Sequence, residues 1–214
     1  MNRRDEIAEN LAAIKEEIPN NVKLIVVTKT FPISDLHILK ELGVVDFGEN
    51  RDQEGSQKAK ELRATWHFQG QLQSNKLKSI CNWADVIHSL DSLRYVDLIK
   101  KASSKKLSIF IQVSLGEATG RGGAAPSELS EIADAVLACT NLELLGLMAV
   151  APLGIEADQA FEKLAAIHQD FKKHYPESPY LSAGMSGDYK SAIAHGATHI
   201  RVGSSILGYR APVR

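Results

Sequence analysis

Apolar residues in this chain follow two rhythms. Short continuous runs rich in Val, Ile and Leu alternate with longer stretches in which apolar residues return every three or four positions. The runs predict β-strands over 24–30, 44–48, 66–70, 86–90, 107–113, 142–150, 180–185 and 199–202. The stretches predict helices. Ile7, Leu11, Ile14 and Ile18 mark one over 3–18, ahead of the first strand. Ser34 is placed to cap a second, which runs through Leu36, Ile38, Leu39 and Leu42 to Gly43. Further helices follow over 51–62, through Leu77, Ile80 and Trp83, and over 93–104, 127–139, 157–174 and 188–194. The start at Ser127 is soft, because no acid stands at the position that completes a capping box.

Strands apolar on both faces are what a parallel sheet covered by helices requires. Strict alternation implies right-handed crossovers, and eight repeats are the number that closes a barrel. The expected fold is α/β: one (β/α)8 barrel of the TIM type, a single domain over 1–214, with an extra helix in front. A doubly wound open sheet is the alternative. It does not need eight units, and no Gly-x-Gly-x-x-Gly follows the first strand.

Composition narrows the function classes. Of 214 residues, 44% are hydrophobic and 24% charged, and the formal net charge is −1. That balance argues against a nucleic-acid partner. No run is long enough to cross a membrane, and the charged N-terminus passes straight into helical periodicity, unlike a signal peptide. Cys81 and Cys139 are far apart and outside any Cys-x-x-Cys, so reduced thiols in a cytoplasmic protein are expected.

The candidate chemistry begins in Lys23-Leu-Ile-Val-Val-Thr-Lys29-Thr-Phe-Pro32. Alternation puts Ile25, Val27 and Lys29 on one face and Leu24, Val26 and Thr28 on the other. Lys29 therefore sits at the carboxyl end of a buried strand, where α/β proteins place their sites. A lone lysine there reads as one that snorkels to solvent. With suitable partners it reads as a Schiff-base lysine whose pKa is lowered by partial burial.

Two such partners lie near the C-terminus, Met185-Ser-Gly-Asp188 after the seventh strand and Arg201-Val-Gly-Ser-Ser205 closing the eighth. Loops in these places commonly form a phosphate cup in α/β barrels. Gly187 and Gly203 allow close backbone approach, and the hydroxyls of Ser186 and Ser204 can donate. Either pair alone reads as turn or cap residues; both together favour phosphate binding. Ile200 and Val202 should face the helices, which turns His199 and Arg201 inward. A buried guanidinium needs acceptors, either an inward carboxylate such as Asp46 or an atom of a bound ligand. His67 and His88 lack metal-site spacing and read as hydrogen-bonded barrel or loop residues. Gly120-Arg-Gly-Gly123 reads as a lid-like loop, and Arg51, Lys58 and Lys60 as a solvated helix face.

A lysine on the first strand, a phosphate cup after the last two and an arginine beside it together resemble the pyridoxal 5'-phosphate (PLP) barrels. Within that group, six motifs are similar to the pyridoxal phosphate homeostasis protein family, stand-alone barrels related to the alanine racemase N-terminal domain. They are Val27-Thr-Lys29-Thr, Phe47-Gly-Glu-Asn50-Arg51 with Gln53-Glu54, Trp66-His-Phe-Gln-Gly-Gln-Leu-Gln-Ser-Asn-Lys76, Gly146-Leu-Met-Ala149, Met185-Ser-Gly-Asp188 and Ile200-Arg-Val-Gly-Ser204. They run from the first strand to the last. The resemblance implies that Lys29 holds PLP as an internal aldimine, that Ser186, Gly203 and Ser204 bind its phosphate, and that Arg201 meets its pyridine nitrogen. Asn50 and Met148 would line the cofactor.

The implied function is to hold PLP and to buffer it or supply it to PLP-requiring apo-enzymes without substantial catalysis, as a monomer. The rivals are an amino-acid racemase, for whose second domain the chain to Arg214 leaves no room, and a cofactor-free Schiff-base aldolase. One region departs from the family pattern. Ile111-Gln-Val-Ser114 stands where Asn often follows Val, and Gly120-Arg-Gly122 where Lys-Ser-Gly is common. The departure bears on exchange of PLP with a partner and not on the cofactor assignment.

Overall fold

The computed structural model of the chain describes residues 2–116 and 122–208. Eight parallel strands close into a barrel: β1 (Lys23–Val27), β2 (Asp46–Glu49), β3 (Thr65–Phe68), β4 (Val86–Leu90), β5 (Leu107–Gln112), β6 (Leu142–Met148), β7 (Tyr180–Ser182) and β8 (His199–Val202). Each pairs with the next, and β8 closes on β1 with Lys23 opposite His199 and Ile25 opposite Arg201. The helices are α1 (Arg3–Glu17), α2 (Ile33–Glu41), α3 (Asp52–Glu61), α4 (Leu77–Trp83), α5 (Leu93–Ala102), α6 (Leu129–Leu137), α7 (Ala157–His174), α8 (Tyr189–Ala194) and α9 (Ser204–Leu207). The barrel with a leading helix is as expected, and the open sheet is not found.

Strand alternation sorts two interiors. Val26, Phe47, Ile200 and Val202 face outward into one apolar layer with α1 and the other helices. Inside the barrel, Val86, Phe110 and Met148 pack together. They share that space with buried polar groups, among them Asp46, His67, His88, Ser182, His199 and Arg201. The leading helix is fastened to the far end of the chain. Arg3 donates to the Leu207 carbonyl (2.9 Å) and Asn10 to that of Ile206 (3.1 Å).

Boundaries differ from expectation in informative ways. The strands β1, β6 and β7 stop at Val27, Met148 and Ser182, short of the apolar runs that announced them. The remaining apolar residues, such as Val150 and Met185, form exposed walls of the barrel mouth. Ser34 does not cap α2. Pro32 does, with a φ of −71° that suits a helix entry. Nor does Ser127 cap α6: a short 3-10 turn, Pro126–Glu128, comes first, and Glu128 accepts from the Ala125 N–H (2.7 Å). The α9 turn went unpredicted because four residues carry no periodicity. Of the expected lid-like loop Gly120–Gly123, Gly120 and Arg121 lie outside the described residues. Among the described residues no helix is long and apolar enough to cross a membrane, and no group of His, Cys, Asp and Glu could hold a metal.

Candidate functional site

The carboxyl ends of the strands surround a cavity of about 520 Å³, a volume suited to a small organic ligand. Lys29, Asn50, Met148, Ser186, Gly187, Arg201, Gly203 and Ser204 all line it. These eight come from the ends of β1, β2, β6, β7 and β8, so barrel closure brings them together. Val27, Gln69, Val150 and Met185 complete much of the wall and were not singled out from sequence. For Gln69 the available signal was its place immediately after β3, a strand end like the others.

Lys29 follows the end of β1, in a turn closed by the Phe31 N–H donating to the Thr28 carbonyl (3.1 Å). Its side chain is exposed, where partial burial was expected. The difference arises because the strand has already left the sheet two residues earlier. Thr30 has a φ of +68°, a strained conformation for a β-branched residue. The turn is held from α3. The Lys58 ammonium donates to the Thr28 carbonyl (2.7 Å), Glu49 Oε1 (2.6 Å) and Glu54 Oε1 (2.8 Å). The Thr28 hydroxyl donates to the same Glu49 oxygen (2.6 Å), and the Thr30 N–H donates to Glu54.

Lys58 is thus only 6% exposed, and the expectation of a solvated helix face is wrong for it. The missed signal was phase. Lys58 stands three residues after Gly55 and four before Leu62, and all three are buried along one stripe of α3. Gly55 lets that stripe approach α4, since a Cβ there would lie 2.5 Å from the Trp83 ring. Burial raises the Glu49 pKa despite the Lys58 charge beside it.

The predicted phosphate cup contains converging donors. Ser186 Oγ accepts from the backbone N–H groups of Gly203 (3.1 Å) and Ser205 (3.3 Å), which leaves its own proton free to donate. Two peptide N–H groups thus converge on one hydroxyl oxygen at the cavity edge. Gly203 makes this possible: a Cβ there would stand 2.9 Å from the Val27 carbonyl oxygen of β1. A Cβ on Gly187 would meet nothing within 4 Å, so that glycine faces open space. The loop before it is fixed by Asp188 Oδ1, which accepts from the Met185 N–H (2.6 Å).

Arg201 is 4% exposed on the inner face of β8. It donates from NH1 to Ser182 Oγ (2.7 Å) and from NH2 to the Ala149 carbonyl (3.0 Å). No carboxylate among the described residues pairs with it. The alternative partner, Asp46, instead takes His67 Nε2 (2.9 Å) and the Lys23 ammonium (3.7 Å). Burial pushes the guanidinium pKa down to about 10, which leaves it charged at neutral pH. The remaining N–H groups of a buried, unpaired cation border the cavity. His67 and His88 do hydrogen-bond within the barrel, Nδ1 to Nε2 at 2.9 Å.

Known proteins resemble this chain over most of its length. Residues 3–211 match the family model for the alanine racemase N-terminal domain. A pyridoxal phosphate homeostasis protein of Corynebacterium glutamicum is 40% identical over 201 residues, covering 89% of this chain and 91% of that protein. PipY of Synechococcus elongatus, solved with PLP bound, matches at a TM-score of 0.86 and 32% identity, covering 94% of this chain and 100% of that one. Alanine racemase of Corynebacterium glutamicum shares the fold alone, with a TM-score of 0.78 at 16% identity over 98% of this chain and 62% of that one. The chain belongs to the alanine racemase N-terminal domain family and, within it, to the pyridoxal phosphate homeostasis proteins.

Proposed function

We propose that this protein holds PLP covalently at Lys29 and buffers or supplies it in the cytoplasm, as a monomer, without substantial turnover of its own. The observation that carries the reading is one cavity bordered by an exposed lysine amine, converging N–H donors and a buried guanidinium with no carboxylate partner among the described residues. PLP, when bound, supplies an aldehyde that condenses with an amine and loses water. Lys29 is the amine for that bond. Ser186, Gly203 and Ser204 hold the phosphate, with Gly187 leaving room beside them. Arg201 donates to the ring nitrogen, and a guanidinium keeps its own proton, so the nitrogen stays unprotonated. Asn50 and Met148 flank the ring.

Among the described residues lining the cavity, Lys29 and Arg201 are the ionisable ones. A racemase needs a second base facing the first, and arginine is a poor one. That supports a holder over an amino-acid enzyme, with PLP-requiring apo-enzymes as recipients.

The test is to titrate the purified protein with PLP, reduce with borohydride and locate the adduct by peptide mass. The expected result is a yellow protein modified at Lys29, able to reactivate a PLP-requiring apo-enzyme. Lys29→Ala should fold normally and fix no PLP. An adduct on Lys76 or Lys190 in the native protein would overturn the assignment.

A further inference from the structure

Behind Arg201 a file of side chains crosses the barrel interior. From Arg201 NH1 it runs to Ser182 Oγ (2.7 Å) on β7, and from Ser182 Oγ to His88 Nδ1 (2.9 Å) on β4. His88 Nε2 meets His67 Nδ1 (2.9 Å) on β3, and His67 Nε2 meets Asp46 Oδ1 (2.9 Å) on β2. All five residues are buried.

The two ends fix every proton between them. Arginine can only donate, and an ionised carboxylate can only accept. Asp46 is ionised: burial works most strongly against its charge, but the His67 hydrogen bond and the neighbouring charges, Lys23 among them, together outweigh it and its pKa is lowered. His67 must therefore present Nε2–H to Asp46, which leaves its Nδ1 to accept from His88 Nε2–H. His88 Nδ1 in turn accepts the proton of Ser182, whose oxygen already accepts from Arg201. Each donor points the same way, and both imidazoles are neutral, the form that their burial also favours. His88 is further pinned by stacking on Phe110, with ring centroids 4.6 Å apart.

We propose that His88 is a positioning residue of the cofactor cavity: through Ser182 it sets the plane of the Arg201 guanidinium, and so the direction of the N–H offered to the bound ring. Without His88 the Ser182 hydroxyl that receives Arg201 NH1 is free to turn, and without Ser182 the guanidinium keeps, among the described residues, its bond to the Ala149 carbonyl and can turn about it. The proposal rests on the reading of the cavity as a PLP site.

Two substitutions separate the two ends of the imidazole. In His88→Asn the amide oxygen replaces Nδ1, so Ser182 keeps its acceptor while the link to His67 is lost. In His88→Gln the amide reaches the place of Nε2, so His67 keeps its donor while Ser182 loses its acceptor. Both variants and Ser182→Ala, which cuts the same link from the other side, are compared by the visible spectrum and dissociation constant of bound PLP. Thermal unfolding without PLP checks that each is folded. Binding of 1-deaza-PLP, which lacks the ring nitrogen, is measured in parallel.

His88→Gln and Ser182→Ala should shift the absorption of bound PLP and weaken its binding roughly tenfold, the value of about one hydrogen bond to a charged group. His88→Asn should stay close to wild type, and the deaza analogue should bind all the folded proteins alike. Equal effects of His88→Asn and His88→Gln, or equal losses for PLP and the analogue, would overturn the positioning role. If His88→Gln does not fold, Ser182→Ala decides. A wild-type protein that takes up no PLP at Lys29 fails the cofactor reading itself, a result distinct from the other two.

Discussion

Two buried polar clusters support the cavity from opposite sides of the barrel wall, and they solve the problem of burying charge differently. Outside the wall, Lys58 gathers Glu49, Glu54 and the Thr28 carbonyl around one ammonium, all at 2.6–2.8 Å. Two carboxylates share one cation there, and Glu49 Oε2 finds no partner among the described residues. Inside the wall, the cation Arg201 and the anion Asp46 are held apart, joined by three neutral groups that each donate once and accept once. The outer cluster is compact and charged, and it fastens the Lys29 turn. The inner one is extended and nearly neutral along its length, and it fastens Arg201. Crowded charge gives a firm clamp that fails abruptly when its centre is lost. A file of neutral groups tolerates change at its ends.

The largest effect should come from Lys58→Met. Removing one partner of a buried ion pair costs about 3–5 kcal/mol, because the other charge is left uncompensated. Urea unfolding should show a loss of that order, and adding Glu49→Met should restore most of it. A loss below about 1 kcal/mol would mean that the outer cluster is no clamp.

Acid should come next, and the two clusters should respond with opposite sign. Burial lowers the pKa values of His67 and His88, and it pushes that of His199 alone, which lies in the same interior, down to about 3. The unfolded chain takes up these protons near pH 6.5 and the folded one does not, so stability falls as pH drops below that value. Between pH 7 and 5.5 the loss should be about 1–3 kcal/mol. Glu49, with its raised pKa, binds a proton more readily folded than unfolded, and its contribution falls as pH rises. His199→Gln should flatten the acid loss measured by urea unfolding, and Glu49→Gln should steepen it.

The smallest effect is expected for Asp46→Asn. The amide oxygen still accepts from His67, so the file keeps its direction and loses only a charge, worth about 1 kcal/mol at the weaker bond. A loss as large as that of Lys58→Met would erase the contrast between the clusters.

Legibility in the sequence followed the same division. The eightfold alternation, the inward phase of Arg201 and the strand-end placement of Lys29, Ser186, Gly187, Gly203 and Ser204 all depend on local periods, which a single sequence displays. Lys58 was misread although its phase with Gly55 and Leu62 was on display, because what that stripe covers is fixed only by the strand end beneath α3. The inner file was harder still. His67 and His88 could be paired as neighbours on adjacent strands, but the step from His88 to Ser182 joins β4 to β7 across the interior. Nothing short of the closed barrel brings those two strands face to face.

Closure also dictates when the binding site comes into being. Its walls are drawn from both ends of the chain, and the contact between Arg3 and the Leu207 carbonyl spans 204 residues. A chain emerging from the ribosome can build helices and pair early strands, but the Lys29 turn has no counterpart until β8 and α9 arrive. Long-range closure of this kind is the slow part of folding. On the proposed assignment, a half-made polypeptide would offer reactive aldehydes a bare lysine but no specific seat, and selectivity for the cofactor would come only with the finished barrel.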